Sequence, residues 1–285
     1  MDRALLLLCA LLLNTVFGGT AAFMLRHWLR MPARLIRDIE RKLNREHRSD
    51  EDLKMRGTVL AALSIFVSMV AGGVCAWLFH HNLRFIELAV LALALPVRPA
   101  WNLAARIRHK LYALDVVGAK EALADTPWRH HALLDEYGVA RAAIETLAVT
   151  FSEKILAPAC WYLLFGLPGL FISKSIYLLQ ETLARPGETS AFGRPAKIAH
   201  SWLHAVPVRI AAFFWMIVSA ILPSTKFSTI QPILKGMGKS SPHVISLLSS
   251  ASVLKLSLGG PMSIYAQEWT GAGTPKASAY DIKRG

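Results

Sequence analysis

Long apolar runs alternate with polar, mostly basic segments along the chain. Residues 4–24 and 59–79 are almost continuously apolar, and each is long enough for an α-helix to cross a hydrocarbon core of about 30 Å. Shorter apolar runs cover 85–97 and 205–222. The pattern predicts an all-α, polytopic helical membrane protein with about four or five membrane segments. A cleaved signal peptide is the alternative interpretation of residues 4–24, although this run is longer than the usual signal core.

A further apolar run, residues 155–179, contains two prolines and two glycines: Pro158, Gly166, Pro168 and Gly169. Because breaks in a membrane helix leave backbone groups that protein or water must satisfy, two interpretations are open. The run either crosses the membrane or is re-entrant, entering and leaving by one face. The tail, residues 267–285, lacks apolar periodicity and is predicted to be irregular. No internal repeat divides the sequence, so residues 1–285 are interpreted as a single membrane domain.

The basic residues predict the orientation. Residues 25–56 contain ten Lys or Arg against six Asp or Glu, and residues 98–154 are also rich in Arg and Lys. The positive-inside rule makes both segments cytoplasmic loops, so we expect a multi-pass protein of the cell inner membrane with its N-terminus outside. In the first loop, four apolar residues share one helical face and predict an amphipathic helix on the inner leaflet: Leu35, Ile36, Ile39 and Leu43.

The composition excludes a freely soluble protein. Hydrophobic residues make up 54% of the chain and charged residues 18%, whereas soluble domains carry about 25% charged residues. The net charge of +13 is spread over the two loops with few interleaved aromatic residues, which argues against nucleic acid and leaves the lipid bilayer as partner. The three cysteines lie in apolar runs at irregular spacing, so no disulfide framework is predicted.

Local motifs alone assign no ligand. The chain lacks both the phosphate loop and the Gly-x-Gly-x-x-Gly turn, which excludes nucleotide binding by those two devices. His200 and His204 have the i, i+4 spacing of zinc ligands, but no third ligand has a suitable spacing, and no metal site is predicted. Arg141 and Glu145 share the i, i+4 spacing and by themselves indicate a local ion pair.

A series of short motifs extends in order over nearly the whole chain. The central motifs are Arg141-Ala142-Ala143-Ile144-Glu145-Thr146-Leu147-Ala148, Ala157-Pro158 and Phe165-Gly166-Leu167-Pro168-Gly169. Flanking motifs are Leu35-Ile36-Arg37, Leu134-Asp135-Glu136-Tyr137-Gly138-Val139, Pro207 with Arg209, Ser241-Pro242 and Leu258-Gly259-Gly260-Pro261. Together they resemble the CobD/CbiB family of adenosylcobinamide-phosphate synthases.

The resemblance implies a membrane protein of cobalamin biosynthesis that joins adenosylcobyric acid, a corrinoid, to aminopropanol phosphate in an ATP-dependent amidation. It implies ATP and Mg²⁺ as cofactors and other cobalamin-pathway proteins as partners. Among the retained residues, it implies catalytic contacts with metal or amine for Glu145 and Glu153, and with phosphate or corrinoid carboxylates for Lys174. Substrate-binding roles are implied for four residues: Arg141, Ser152, Arg209 and Ser241.

The departures from the family pattern fall on acids. Asn14 stands where the family usually has Asp, and His200-Ser201 replaces an Asp-Asp pair. Because Mg²⁺ prefers oxygen ligands, these losses predict a weak synthase at best. The alternative is a catalytically inactive paralogue, a pseudoenzyme that serves as a membrane scaffold, regulator or corrinoid-binding protein. A transporter is a third, weaker reading, because the spans show no inverted repeat.

Overall fold

The structure is a computed structural model that describes residues 2–24, 26–44, 49–79, 83–124, 126, 131–183, 190–221, 230–238 and 240–284. The α-helices are α1 (Arg3–Met24), α2 (Arg26–Leu43), α3 (Asp50–Phe79), α4 (Arg84–Ala94), α5 (Val97–Tyr112), α6 (Val116–Leu123), α7 (Glu136–Val149), α8 (Ala157–Phe165), α9 (Leu167–Leu183), α10 (Arg194–Ile221), α11 (Ile230–Met237), α12 (Pro242–Leu254) and α13 (Ala279–Arg284). A 3₁₀ turn covers His131–Leu133, a π-helix covers Thr150–Leu156, and β1 (Leu258–Gly259) pairs antiparallel with β2 (Trp269–Thr270). The predicted all-α class is confirmed.

Four helical segments of the described chain are long and apolar enough to cross a membrane: Asp50–Phe79, Arg84–Tyr112, Glu136–Phe165 and Arg194–Ser219. They confirm a polytopic helical membrane protein. The described apolar part of α1, Arg3–Gly19, forms a shorter helix. The segment Glu136–Phe165 overlaps the predicted loop 98–154, so the predicted bounds and the helices differ over residues 136–154. In the most apolar part of Glu136–Phe165, half of the residues are buried inside the protein, and the mean hydropathy is the lowest of the four segments.

The chain forms two compact units, each made from two separated stretches. The first comprises Met1–Arg98 and Glu153–His204, and the second comprises Pro99–Ser152 and Ala205–Gly285.

In the first unit, α3 and α9 pack closely along their length. A Cβ atom on Gly72 would meet the backbone of Pro168, and a Cβ atom on Gly57 would meet the carbonyl group of Phe192. Gly72 lies near the end of α3 and Pro168 near the start of α9, whereas Gly57 lies near the start of α3 and Phe192 follows α9. The two helices therefore run antiparallel, and Phe192 lies at the end of the unit where α3 begins.

A turn at Gly166 separates α8 from α9. Gly166 has a φ of 71°, a backbone conformation that favours glycine. The guanidinium group of Arg3 donates hydrogen bonds to the carbonyl oxygens of Leu163 and Leu164, at 3.4 and 3.1 Å. The turn thus lies beside the start of α1. The apolar run 155–179 is two packed helices joined by this turn, not one continuous segment.

The side chain of Asn14 completes the junction between α4 and α5. Pro96 has no N–H group, so the carbonyl group of Ala92 lacks its usual helical donor. The Nδ2 atom of Asn14 donates to this carbonyl oxygen at 2.6 Å, and its Oδ1 atom accepts the N–H of Arg98 at 2.9 Å. Asn14 is only 4% exposed, so both bonds satisfy groups that water does not reach.

Most of the apolar face of the amphipathic helix α2 packs on protein. Ile36, Ile39 and Leu43 contact a buried cluster in the first unit, while Leu35 is exposed. The cluster comprises Leu60, Ile176, Leu179, Leu183, Phe192 and Ala196. Three of the four residues on the predicted apolar face thus contribute to the core of this unit. The position of α2 on the inner leaflet stays a prediction.

In the second unit, α7 packs against α12, β1 and α13. Val208 and Ala212 of α10 form a second core with Ile233 of α11 and Ile245 of α12. The tail is largely irregular except for β2 and α13, and Leu256 forms a bridge to Thr274.

Candidate functional site

The π-helix Thr150–Leu156 joins α7 to α8 without a break in the helical path. A π-helix is rare and often occurs at functional sites, because its extra residue changes the direction in which side chains project. This segment carries the retained residues Ser152 and Glu153, together with Lys154. Sequence reasoning predicted two of these residues but not the π-helix.

Glu153 pairs with His200 in the first unit. An Oε atom of Glu153 lies 2.8 Å from Nε2 of His200, and the two side chains are 0% and 2% exposed. The ring of His204 stacks on that of His200, with centroids 4.1 Å apart. Because a carbonyl oxygen only accepts, the Nδ1–H of His204 is the donor to the carbonyl oxygen of His200 at 3.2 Å. The arrangement is a buried carboxylate–imidazole pair.

Tyr177 of α9 connects this pair to a second group of charges. Its ring lies edge-on to both imidazoles, and its hydroxyl donates to the carboxylate of Glu181 at 3.3 Å. The Nζ atom of Lys154 binds the same carboxylate at 3.1 Å and lies 5.0 Å from the centre of the Tyr177 ring.

Lys174 lies next to this network. Its Nζ atom donates a hydrogen bond to the backbone carbonyl oxygen of Lys154 at 2.6 Å. Of the predicted site residues, Glu153 thus lies within the π-helix and Lys174 binds its backbone. Beyond this hydrogen bond, the amino group of Lys174 has further donor hydrogens.

Glu145 lies in the second unit and holds a loop. Its carboxylate accepts the N–H of Gly259 at 2.8 Å and the hydroxyl of Ser263 at 2.6 Å, and its side chain is 1% exposed. The same serine oxygen accepts the N–H groups of Tyr265 and Ala266. Both carboxylate oxygens of Glu145 therefore have protein donors, as expected for a residue that positions the loop.

Arg141 lies one turn before Glu145 and contacts the tail, not Glu145. Its guanidinium group donates to the carbonyl oxygen of Pro275 and lies 5.3 Å from the centre of the Trp269 ring. The local ion pair that the i, i+4 spacing indicated is replaced by these long-range contacts.

The remaining predicted substrate-binding residues are spread through the second unit. The hydroxyl of Ser152 is buried and lies 2.6 Å from that of Ser246. Arg209 donates to the carbonyl oxygen of Ala205 in its own helix at 2.6 Å, and Ser241 is an exposed residue immediately before α12. These contacts do not join the three residues into one cluster in the described part of the unit.

Sequence reasoning missed His200, Tyr177 and Glu181 as partners of the retained residues. The i, i+4 spacing of His200 and His204 drew attention to that helix, but Glu153 lies 47 residues away and no local pattern connects it to His200.

The apolar helices define a polytopic helical membrane protein, in which Glu145, Glu153 and His200 are buried. The chain belongs to the CobD/Cbib protein family, whose model matches residues 7–285. The family resemblance of the sequence motifs is thus confirmed. No solved structure shows a significant match to the chain.

Several curated relatives carry the name "Cobalamin biosynthesis protein CobD". One from Sinorhizobium sp is 31% identical over 188 residues, which cover 60% of this chain and 55% of that protein. One from Sinorhizobium fredii is 36% identical over 127 residues, which cover 44% of this chain and 39% of that protein. A Rhodobacter capsulatus protein is 28% identical over 242 residues, which cover 80% of this chain and 71% of that protein. The first two matches thus cover about half or less of the relatives' own length.

Proposed function

We propose that this protein acts in cobalamin biosynthesis at the membrane and is at best a weak adenosylcobinamide-phosphate synthase. The family match over residues 7–285 and the printed names of the relatives support the pathway. The reaction is an ATP-dependent amidation of adenosylcobyric acid with aminopropanol phosphate. The four apolar helices and the basic segments support a location in the inner membrane.

The proposal of weak activity rests on the contacts that the acidic side chains already make with other residues of the protein. Glu145 binds Gly259 and Ser263, Glu153 binds His200, and Glu181 binds Lys154 and Tyr177. Mg²⁺ held for ATP chemistry needs carboxylates that are open to the ion and to substrate phosphates. In this chain these three acids already have protein partners, which suits a scaffold or corrinoid-binding protein.

The Glu153–His200 pair supports a second candidate, an active synthase with a changed set of residues. Amide formation requires a group that accepts a proton from the attacking amine, and an imidazole oriented by a carboxylate is suited to that role. In this version His200 accepts the proton, Glu153 orients the ring, and Lys174 binds a phosphate or carboxylate of the substrate. ATP and Mg²⁺ remain the expected cofactors.

Genetic complementation distinguishes the two candidates. In a bacterial strain that lacks its own synthase, we expect this protein to restore corrinoid-dependent growth poorly, with turnover at least about a hundredfold below the native enzyme, because loss of metal-binding carboxylates removes several kcal/mol of transition-state stabilisation. The strain's own synthase is the positive control, and immunoblots of the membrane fraction establish equal expression.

The variants Glu153→Gln and His200→Gln, with Glu136→Gln at the exposed start of α7 as the matched control, complete the test. Strong growth with the wild-type chain that both active-pair variants abolish and the control preserves would establish the active synthase and contradict the weak one.

The topology gives a separate prediction. Because α8 and α9 form a hairpin and Phe192 packs at the start of α3, residues 190–193 should lie on the same membrane face as Ser49. In a cysteine-free background, single cysteines at Ser49 and Ser190 should both resist an impermeant thiol reagent added outside, while one at Asp2 should react. The hairpin tip at Asn82, which lies outside the described residues, is expected to react as well. Reaction at Ser190 with protection at Ser49 would contradict the hairpin arrangement.

A further inference from the structure

Six exposed cations lie on two helices of the first unit, and we call them the basic band. Its members are Arg34, Arg37, Arg41 and Lys42 of α2 and Arg194 and Lys197 of α10. The acids on the described side chains of α2 are Asp38 and Glu40, and Asp38 pairs with Arg41 at 3.8 Å. Residues 190–204 contain no acid. The start of α3, at the same end of the unit, adds three acids, Asp50, Glu51 and Asp52, and two cations, Lys54 and Arg56. The described cations at this end therefore outnumber the acids by eight to five, and the net charge stays positive.

The core of the unit holds the two helices of the band together. Ile36 and Ile39 of α2 pack on the cluster that contains Phe192 and Ala196 at the start of α10. Ile36 and Ile39 therefore face the core, and the cations of α2 are exposed on the other side of the helix. The band consequently borders one end of the unit, the end at which α3 also begins.

Exposed apolar side chains lie directly beside the band. On α10, Ile198 is 51% exposed and Trp202 is 80% exposed, one and two turns from Arg194 towards the apolar part of the helix. On α2, Leu35 is 62% exposed beside Arg34. A sequence of cations, then tryptophan, then apolar residues matches the layers of a membrane interface, where headgroups give way to acyl chains.

We propose that the basic band binds the headgroups of anionic phospholipids in the leaflet at this end of the first unit. Each cation near an anionic membrane surface is attracted to it. Acyl chains would cover Trp202 and Ile198, which neither free phosphate nor an acidic soluble protein would do. The cations are spread along two helices, as suits several headgroups rather than one small anion. This surface does not depend on whether the protein makes or binds corrinoids.

Native mass spectrometry of the purified full chain in neutral detergent tests the proposal. Phosphatidylglycerol and phosphatidylcholine with identical acyl chains are added at equal concentration, and the bound lipids are counted. We expect a preference for phosphatidylglycerol that falls at least about tenfold in the variant R34Q/R37Q/R194Q/K197Q, because four charges are lost. The control variant K235Q/K276Q/K283Q/R284Q removes four exposed cations of the second unit and should retain the preference.

Two further measurements, with added salt and with added phosphate, use only the wild-type chain. With the wild-type chain, raising the salt concentration should reduce binding of phosphatidylglycerol and leave that of phosphatidylcholine unchanged. Millimolar inorganic phosphate should not displace the lipid. Equal binding of both lipids, equal loss in both variants, or displacement by phosphate would each overturn the proposal. A thermal melting curve of each variant shows whether it is folded, and if the band variant is not, the salt titration decides.

Discussion

An Asn14→Asp variant should lose most of its folded protein at neutral pH. The carboxylate would still accept the N–H of Arg98, but it cannot donate to the carbonyl oxygen of Ala92, which Pro96 already deprives of a helical donor. The change places a negative charge against an unpaired buried carbonyl group, and an uncompensated buried charge costs roughly 3–5 kcal/mol. Thermal unfolding in detergent, followed by circular dichroism, measures the loss.

Acidic pH gives this variant an internal control. A protonated carboxyl group has one donor and one acceptor, as the amide does, so lowering the pH should restore part of the stability of Asn14→Asp. The wild-type protein should not gain stability in the same range. Asn44→Asp makes the same chemical change at the end of α2, where the residue is partly exposed, and should be nearly neutral. Wild-type stability of Asn14→Asp at neutral pH would refute the assigned role of the amide.

This result would change how Asn14 is interpreted. Sequence comparison suggests that Asn14 marks a lost family acid, and restoring the acid would then be a step towards activity. The structure instead makes the amide a component of the α4–α5 junction. An acid at position 14 would therefore need a compensating change at Pro96 or Ala92.

The second large effect is expected for Glu145→Ala. The substitution leaves the N–H of Gly259 and the hydroxyl of Ser263 without their acceptor in a buried loop. Each orphaned donor costs about 1–3 kcal/mol, and the loop contains Gly259 and Gly260 at φ values of 85° and 93°, a conformation that its contacts must maintain. We expect a loss of roughly 3 kcal/mol in unfolding free energy and faster proteolysis within residues 258–275.

Two further variants, Glu145→Gln and Glu136→Ala, test whether the lost hydrogen bonds cause the loss of stability. The glutamine keeps the side-chain shape and one acceptor oxygen, so its stability loss should be clearly smaller than that of the alanine variant. Glu136 is exposed at the start of the same helix, and its alanine variant should change stability by no more than about 0.5 kcal/mol. If Glu145→Ala stays as stable as the wild-type protein yet loses corrinoid assembly, Glu145 has a chemical role and the anchoring role is wrong.

The sequence by itself determined the class and the family of this protein. Apolar runs of sufficient length require helices in a bilayer, because only backbone groups that bond within their own segment avoid the cost of exposure to hydrocarbon. Motifs such as Phe165-Gly166-Leu167-Pro168-Gly169 indicated the family and also marked the turn between α8 and α9. These signals are local, since a short stretch of chain contains all the residues that produce them.

Only the tertiary structure decided which polar side chains meet. Glu153 and His200 are 47 residues apart, Asn14 and Arg98 are 84 apart, and Glu145 and Ser263 are 118 apart. A buried polar group is stable with any partner of suitable geometry, so its own sequence neighbourhood does not specify which one it finds. In the same way, the sequence predicted that α2 has an apolar face, but only the structure shows that this face packs on the cluster with Phe192 and Ala196. A helical periodicity shows that a face is buried and not what buries it.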